Sequence, residues 1–354
     1  MLRRAAFLLV LLDTSGRPML HDSDAVGHGA IVLSTGEVLL ASGNNNSRVS
    51  EVFDPRTNKW TDTGEMAESR LYHIFVRLRN GRVVAVSGHD NGYKASVELF
   101  DPRTKKWSTV ASVKSGRAGH DATLLSDGRV LTAGGYHNDF EKSVEIYDPR
   151  TDKWIEGPPL AEGCTMLSLT TLRDGRVLLA GGYRNSVLDQ CQIYDPKTNA
   201  WSAAPPMKAA RYGHTALLLN DGTVLVVGNS NGGAGGGEGL AERYDPRTNS
   251  WREAAAPPGP IGPGHAAAIM PDGRVFVCGG SSGPTNAAIY DPVANKWTKL
   301  PPLPRRREYH AVAPLRDGRV LVTGGRNAKS TDLYDLRAGT WKEGPETRDV
   351  HRTQ

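Results

Sequence analysis

Short apolar runs come in pairs along this chain, each pair split by a polar turn. Thr215–Leu219 and Val224–Val227 flank Asp221-Gly222, and the pattern returns around Thr35-Gly36, Asn80-Gly81, Asp127-Gly128, Asp174-Gly175, Asp272-Gly273 and Asp317-Gly318. Asn-Gly and Asp-Gly tolerate positive φ at both central positions of a tight hairpin turn. The runs on either side are predicted strands.

A second motif keeps the same phase. Phe53-Asp54-Pro55 leads to Trp60, and the pattern recurs from Phe100 to Trp107, Tyr147 to Trp154, Tyr194 to Trp201, Tyr244 to Trp251, Tyr290 to Trp297 and Tyr334 to Trp341. These copies contain every tryptophan in the protein. Asp-Pro is a turn signal between a third and a fourth strand. Four short strands in a repeat of about 45–50 residues make a propeller blade. No helical period competes. The expected fold is all-β: one seven-bladed β-propeller over residues 27–345, four antiparallel strands per blade, with an N-terminal segment 1–26 and a tail 346–354.

The apolar run into Gly-Gly, the later Tyr and the Trp seven positions beyond it resemble the kelch family, whose members include the central domain of galactose oxidase. Seven copies in register carry the resemblance. Ser42-Gly43, Ser87-Gly88 and Gly228-Asn229 depart from the double glycine, blade seven lacks the Pro, and Leu167 stands where other blades have His.

Composition changes this picture little. Forty glycines suit many tight turns, and a net charge of +5 over 354 residues falls well short of a nucleic-acid footprint. Three cysteines cannot all pair: Cys278 reads as a buried thiol, and a Cys164–Cys191 disulfide stays open. Arg3-Arg4 before the apolar run Ala5–Leu12 reads either as a strand closing the ring or as the front of a signal peptide. The run is too short to span a membrane. A cytoplasmic location is favoured, and a secreted one follows if residues 1–20 act as a signal. Asn45-Asn46-Ser47 fits a glycosylation acceptor only on that route. A monomer is expected.

Alternating strand direction sorts the loops onto two faces. The Asp-Gly-Arg and Asp-Pro-Arg turns share the bottom. There, Arg residues beside Asp residues read as duplicated turn chemistry, with a basic docking surface as the sharper alternative. The second-to-third loops and the blade-to-blade loops share the top, and they differ from blade to blade: Gly88-His89-Asp90-Asn91, Gly135-Tyr136-His137-Asn138 and Gly182-Tyr183-Arg184-Asn185. Loops on a rigid scaffold carry binding, so any site belongs on the top, around the central pore. The candidate binding residues are Arg70, Tyr72, His73, Arg117, Tyr136, Tyr183, Arg184, Arg211, Tyr212, Tyr309 and Arg326. Arg offers planar donors and Tyr a flat apolar body with a polar tip. His28, His73, His120, His214, His265 and His310 recur at one blade position, which suggests strand-tying rather than metal binding. His89, His137 and Glu308 are the candidate acid–base groups.

Gly232–Gly239 lacks the ending of a phosphate loop, and no catalytic signature is present. No cofactor or resident metal is expected. The kelch resemblance implies binding of a protein segment, glycan or small molecule on the top face. It also leaves an enzyme alternative at the pore mouth: a cofactor-free isomerase or cyclase, or a sugar-directed mutarotase or copper oxidase. The oxidase would draw on Tyr72, Tyr136, Tyr183, Tyr212, Tyr309, His137 and Cys164.

Overall fold

The computed structural model describes residues 29–43, 46–228, 240–325 and 328–348. The N-terminal segment 1–26, His28, Asn45, the glycine-rich stretch 232–239, Arg326 and the end of the tail lie outside the described residues. Within them the chain forms seven four-stranded antiparallel sheets in chain order, arranged as a β-propeller, with a short two-stranded hairpin between the second and third strands of blade four. There is no helix among the described residues, and hence none long and apolar enough to cross a membrane.

The first strands of the blades (Gly29–Val32, Ile74–Arg77, Asp121–Leu124, Ser168–Thr171, Thr215–Leu218, His265–Ile269 and Ala311–Pro314) neighbour one another around the axis. The second strands are continuous apolar runs because both faces are covered by neighbouring blades: Val83–Val86, Val130–Ala133, Val177–Ala180 and Val224–Val227 are buried throughout. Core clusters therefore span blade pairs. One joins Val84, Val86 and Leu99 of blade two to Val130 and Tyr147 of blade three. Each buried Val or Leu side chain contributes about 1.5–3 kcal/mol.

The Tyr–Trp motif is a blade-to-blade fastener. Trp154 packs on Tyr147 at 5.1 Å, directly across the strand pair, and donates its indole N–H to Ala111 O of the preceding blade at 2.7 Å. Trp201, Trp251, Trp297 and Trp341 donate in the same way to Pro158, Pro205, Ala255 and Pro301. The ring closes by the same rule. Trp60 of blade one donates to Pro345 O, 3.2 Å away, beyond the last strand of blade seven. Val38 and Phe53 share a core cluster with Leu315, Leu321 and Leu333 across that seam.

On the bottom face many arginines fold back onto the Asp of their own turn, while Arg79, Arg173 and Arg316 reach a carbonyl of a neighbouring blade. Asp148 accepts the Arg150 N–H at 2.9 Å and pairs with its guanidinium at 3.0 Å; Arg129 pairs with Asp127 at 2.7 Å and Arg247 with Asp245 at 3.0 Å. The Arg150 side-chain bond holds the Asp148 carboxyl below the usual carboxylate range.

Candidate ligand-binding face

The top face is built on a buried clamp. Arg117, fully buried, pairs with Glu145 at 2.6 Å and donates to Gly134 O (3.3 Å) and Ser143 O (3.0 Å), the two ends of the second-to-third loop of its blade. Arg70 does the same with Glu98, Ser87 O and Ser96 O. Arg211 uses Glu242, Gly228 O and Leu240 O, and Arg307 uses Asp332, Gly324 O and Ser330 O. Burial lowers the pKa of Arg70, Arg117 and Arg211 and the carboxylate opposes it.

Arg70, Arg117 and Arg211 therefore do not present a guanidinium to solvent, which corrects the expectation that they form the binding surface. Their terminal guanidinium nitrogens are engaged inside the blade because two loop ends and a carboxylate must be satisfied without water. Blades four and six lack both halves of the clamp, with Cys164 and Gln192, and Gly262 and Ala288, standing at the corresponding positions. Half a buried pair would be worse than none. In blade one, Glu51 is capped by the backbone N–H of Arg348 at 2.9 and 3.0 Å.

Three of the repeated histidines, His214, His265 and His310, are blade-to-blade joints, as the repeat suggested. His73, likewise expected on the surface, is buried, as are His120, His214, His265 and His310. His214 meets Ser168 Oγ of the preceding blade at 2.9 Å, His265 meets Thr215 Oγ1 at 3.0 Å, and His310 meets Cys278 Sγ at 3.1 Å. A Cβ on Gly181 would stand 2.9 Å from the His214 ring, so the glycine step makes room for the next blade's histidine. Burial pushes His120 and His214 down to about 3 and His265 down to about 4. Where Leu167 replaces His, Asp121 of the preceding blade turns to the Leu169 and Ala122 N–H groups, both 2.7 Å away, and burial lifts its carboxyl to about 7.

Above the clamps of blades two and three, and in blade four without one, runs a second tier of β-bridges. Leu71 pairs with His89 and His89 with Tyr93; Ala118 pairs with Tyr136 and Tyr136 with Phe140; Thr165 pairs with Tyr183, which opens a short hairpin with Val187. This tier sets out a run of rings. His89 lies 4.9 Å from Tyr93, which stacks on His137 at 5.0 Å and leans on Tyr136 at 6.2 Å. Tyr136 meets Phe140 at 5.4 Å, Phe140 meets Tyr183 at 6.2 Å, and Tyr183 meets Tyr212 at 5.9 Å. Ser115 Oγ lies 3.4 Å from His137 Nδ1, which is also bonded to Gly116 O. Arg184 pairs with Glu162 at 2.5 Å, and Lys142 reaches the same carboxylate at 3.1 Å.

Of the sequence-predicted residues, Tyr136, Tyr183, Tyr212, His89 and His137 fall on this arc and Arg184 flanks it. Tyr136 is nearly buried, the base on which the outer rings rest. Tyr72 and Tyr309 sit on the blade-to-blade loops into blades two and seven. Glu308 belongs to blade seven, and no hydrogen bond or ion pair among the described residues links it to either histidine. Tyr93 and Phe140 were missed; each closes the same top loop, four and five residues after His89 and Gly135. Cys164, Cys191 and Cys278 are free and buried, with Cys164 and Cys191 pushed up to about 12. Among the described residues no group of three or more His, Cys, Asp or Glu stands close enough to hold a metal ion.

Comparison with known proteins agrees with this architecture. A family model described as the KLHDC2/KLHL20/DRC7 Kelch-repeats domain matches residues 21–229, and a Kelch motif model matches 263–304. An F-box/kelch-repeat protein of Arabidopsis thaliana is 38% identical over 68 residues, 18% of this chain and 17% of that protein. The Kelch-like protein terF of Aspergillus terreus is 27% identical over 104 residues (27% and 22%), and Kelch-like protein 21 of Danio rerio is 35% identical over 74 (19% and 11%). The matches thus span less than a quarter of each relative. A fungal alcohol oxidase of the AA5 family, solved with copper, superposes with a TM-score of 0.70 over 85% of this chain and 70% of its own, at 16% identity, a likeness of fold.

Proposed function

Because the chain belongs to the kelch-repeat family of β-propellers, we propose that it is a binding scaffold whose top face takes an extended protein segment across blades two to four. The observation that carries this reading is the aromatic arc from His89 to Tyr212, held on a bridged second tier, with buried clamps beneath it in blades two and three. Tyr and Phe supply large contact area with little conformational freedom to lose. A scaffold tied down before the partner arrives avoids the ordering cost of binding. The ion pairs of Glu162 with Lys142 and Arg184 supply polar partners beside the rings, as an interface rim does.

The test is selection of peptides from a displayed random library on the wild-type protein, with a glycan array run alongside. The selected peptides bind the wild type and lose at least about tenfold in affinity, or about 1.4 kcal/mol, on a Tyr93→Ala/Phe140→Ala/Tyr183→Ala variant. Peptides that bind both proteins equally, or glycans bound where no peptide is, would overturn the reading.

A further inference from the structure

The outermost strand of a blade is a sheet edge, and a charged side chain there, lysine above all, keeps other chains from pairing with it. Six blades carry that guard. Lys59–Asp62, Lys106–Val110, Lys153–Glu156, Ser250–Glu253, Lys296–Lys299 and Thr340–Glu343 each hold a Lys or Arg. Blade four reads Ala-Trp-Ser-Ala-Ala over Ala200–Ala204, with no charge, and Ala200, Ser202 and Ala203 are exposed.

This edge is regular enough to act as a template. It pairs with Cys191–Asp195 in register through all five residues. At the top of the same strand in blades three and five, the Gly157 N–H donates to Val144 O at 2.8 Å and the Ala254 N–H to Ala241 O at 2.9 Å. Ala204 and Cys191 hold that place in blade four. Bonded pairs alternate along an antiparallel ladder, so Ala204, Ser202 and Ala200 bond inward, and Trp201 and Ala203 turn their N–H and C=O groups outward.

Beside the edge lies a groove of about 670 Å³, bounded on its far side by Pro158, Pro159 and Ala161 as the chain leaves blade three. Its wall is the unclamped part of blade four. Gln192, at the clamp carboxylate's position, is 8% exposed, and its side-chain amide makes no hydrogen bond among the described residues. The Nε2 atom of Gln190 is buried and has no partner. Unsatisfied buried polar groups are uncommon and call for a partner. Both amides line the groove, and Asp189, exposed at its top end, is the one charged residue in the lining and forms no ion pair among the described residues.

We propose that the rim of blade four binds an extended segment of a partner protein as a fifth, antiparallel strand, the segment being an uncharged run led by a lysine or arginine. Its backbone meets the outward groups of Trp201 and Ala203, and a side chain enters the groove toward Gln190 and Gln192. Ala200–Ala204 runs from bottom to top, so an antiparallel segment starts beside Asp189, which sets the leading cation. A second copy of this chain is the poorer occupant. Two convex rims would meet along a strip about 17 Å long, well short of the roughly 1,000 Å² that a specific interface between folded partners buries. The rim lies apart from the aromatic arc, and the proposal does not depend on what the arc binds.

The experiment selects peptides from a displayed random library on the full-length Tyr93→Ala/Phe140→Ala/Tyr183→Ala chain, in which the arc is removed. Fluorescence anisotropy then compares that chain with the same chain carrying Ala200→Lys/Ala203→Glu, which gives blade four the edge charges of blade three. A second comparison uses Ala203→Pro, which removes one outward N–H and no ladder bond. The expected result is a loss of affinity of at least about tenfold on both, with unfolding temperatures within about 4 °C of the parent chain. Asp189→Asn weakens the peptides by about threefold or more and flattens their salt dependence. Affinities within about twofold on both edge variants, a library with no edge-dependent peptide, or selected peptides led by an acidic residue would overturn the proposal. So would a dimer of the wild-type chain in sedimentation that Ala200→Lys/Ala203→Glu dissolves, since the edge would then belong to a second copy.

Discussion

The two faces of the disc come from one repeat and have diverged in different ways. On the bottom, Asp127 with Arg129, Asp174 with Arg176, Asp272 with Arg274 and Asp317 with Arg319 repeat one ion-paired turn, and Arg176 and Arg319 also reach a carbonyl of another blade. On the top, the loop that starts after the second strand reads Gly88-His89, Gly135-Tyr136, Gly182-Tyr183 or Gly280-Ser281. A turn that satisfies itself has no reason to change. A loop whose ends are held from below by Arg70 or Arg117 can change its interior freely, and aromatic rings have collected there in blades two and three and in the unclamped blade four beside them. The difference shows where the scaffold ends and the specific surface begins.

The sharpest way to break this comparison is to cut the clamp. Glu145→Ala leaves the Arg117 guanidinium buried and unpaired, and costs about 4 kcal/mol. Arg117→Cys with Glu145→Gln, the pair blade four already uses, costs clearly less in the same denaturation experiment. Next comes the fastener: Trp154→Ala loses a ring packed on Tyr147 and a hydrogen bond to Ala111, about 3 kcal/mol, read from the same curves.

The third effect depends on pH. His120, His214 and His265 have folded pKa values depressed below the ordinary 6.5, so the unfolded chain takes up protons first and stability falls as pH drops from about 6.5 toward about 3–4. Asp121 acts oppositely. Its folded pKa is raised to about 7, so its contribution is present at low pH and is lost as pH rises from about 4 to 7. Three histidines outweigh one aspartate, and net stability falls on acidification. Asp121→Asn makes that fall steeper, and a flatter profile would contradict the assignment. The smallest effect is on the bottom face, where Arg150→Ala leaves both the unfolding temperature and peptide binding unchanged.

Much of this fold was legible because its signals are local and repeated seven times. Asp-Gly turns, Tyr-Asp-Pro and Trp each specify a backbone event within a few residues. The recurrent histidines were readable as joints for the same reason. The clamp was harder to see, since Arg117 and Glu145 are 28 residues apart and an arginine in a divergent loop looks like a surface donor. The joint loss of the pair in blades four and six was the available signal. Tyr93 and Phe140 went unnoticed because a ring's place in an arc depends on bridges such as Tyr136 with Phe140, which no periodicity announces.

The claim that the top face binds and the bottom face does not is tested most directly by titrating one selected peptide into two matched variants. One is Tyr93→Ala/Phe140→Ala/Tyr183→Ala; the other is Arg103→Ala/Arg150→Ala/Arg247→Ala. The account predicts at least about a tenfold loss of affinity for the first and wild-type affinity for the second. Loss of binding in the arginine variant with retention in the aromatic one would contradict it.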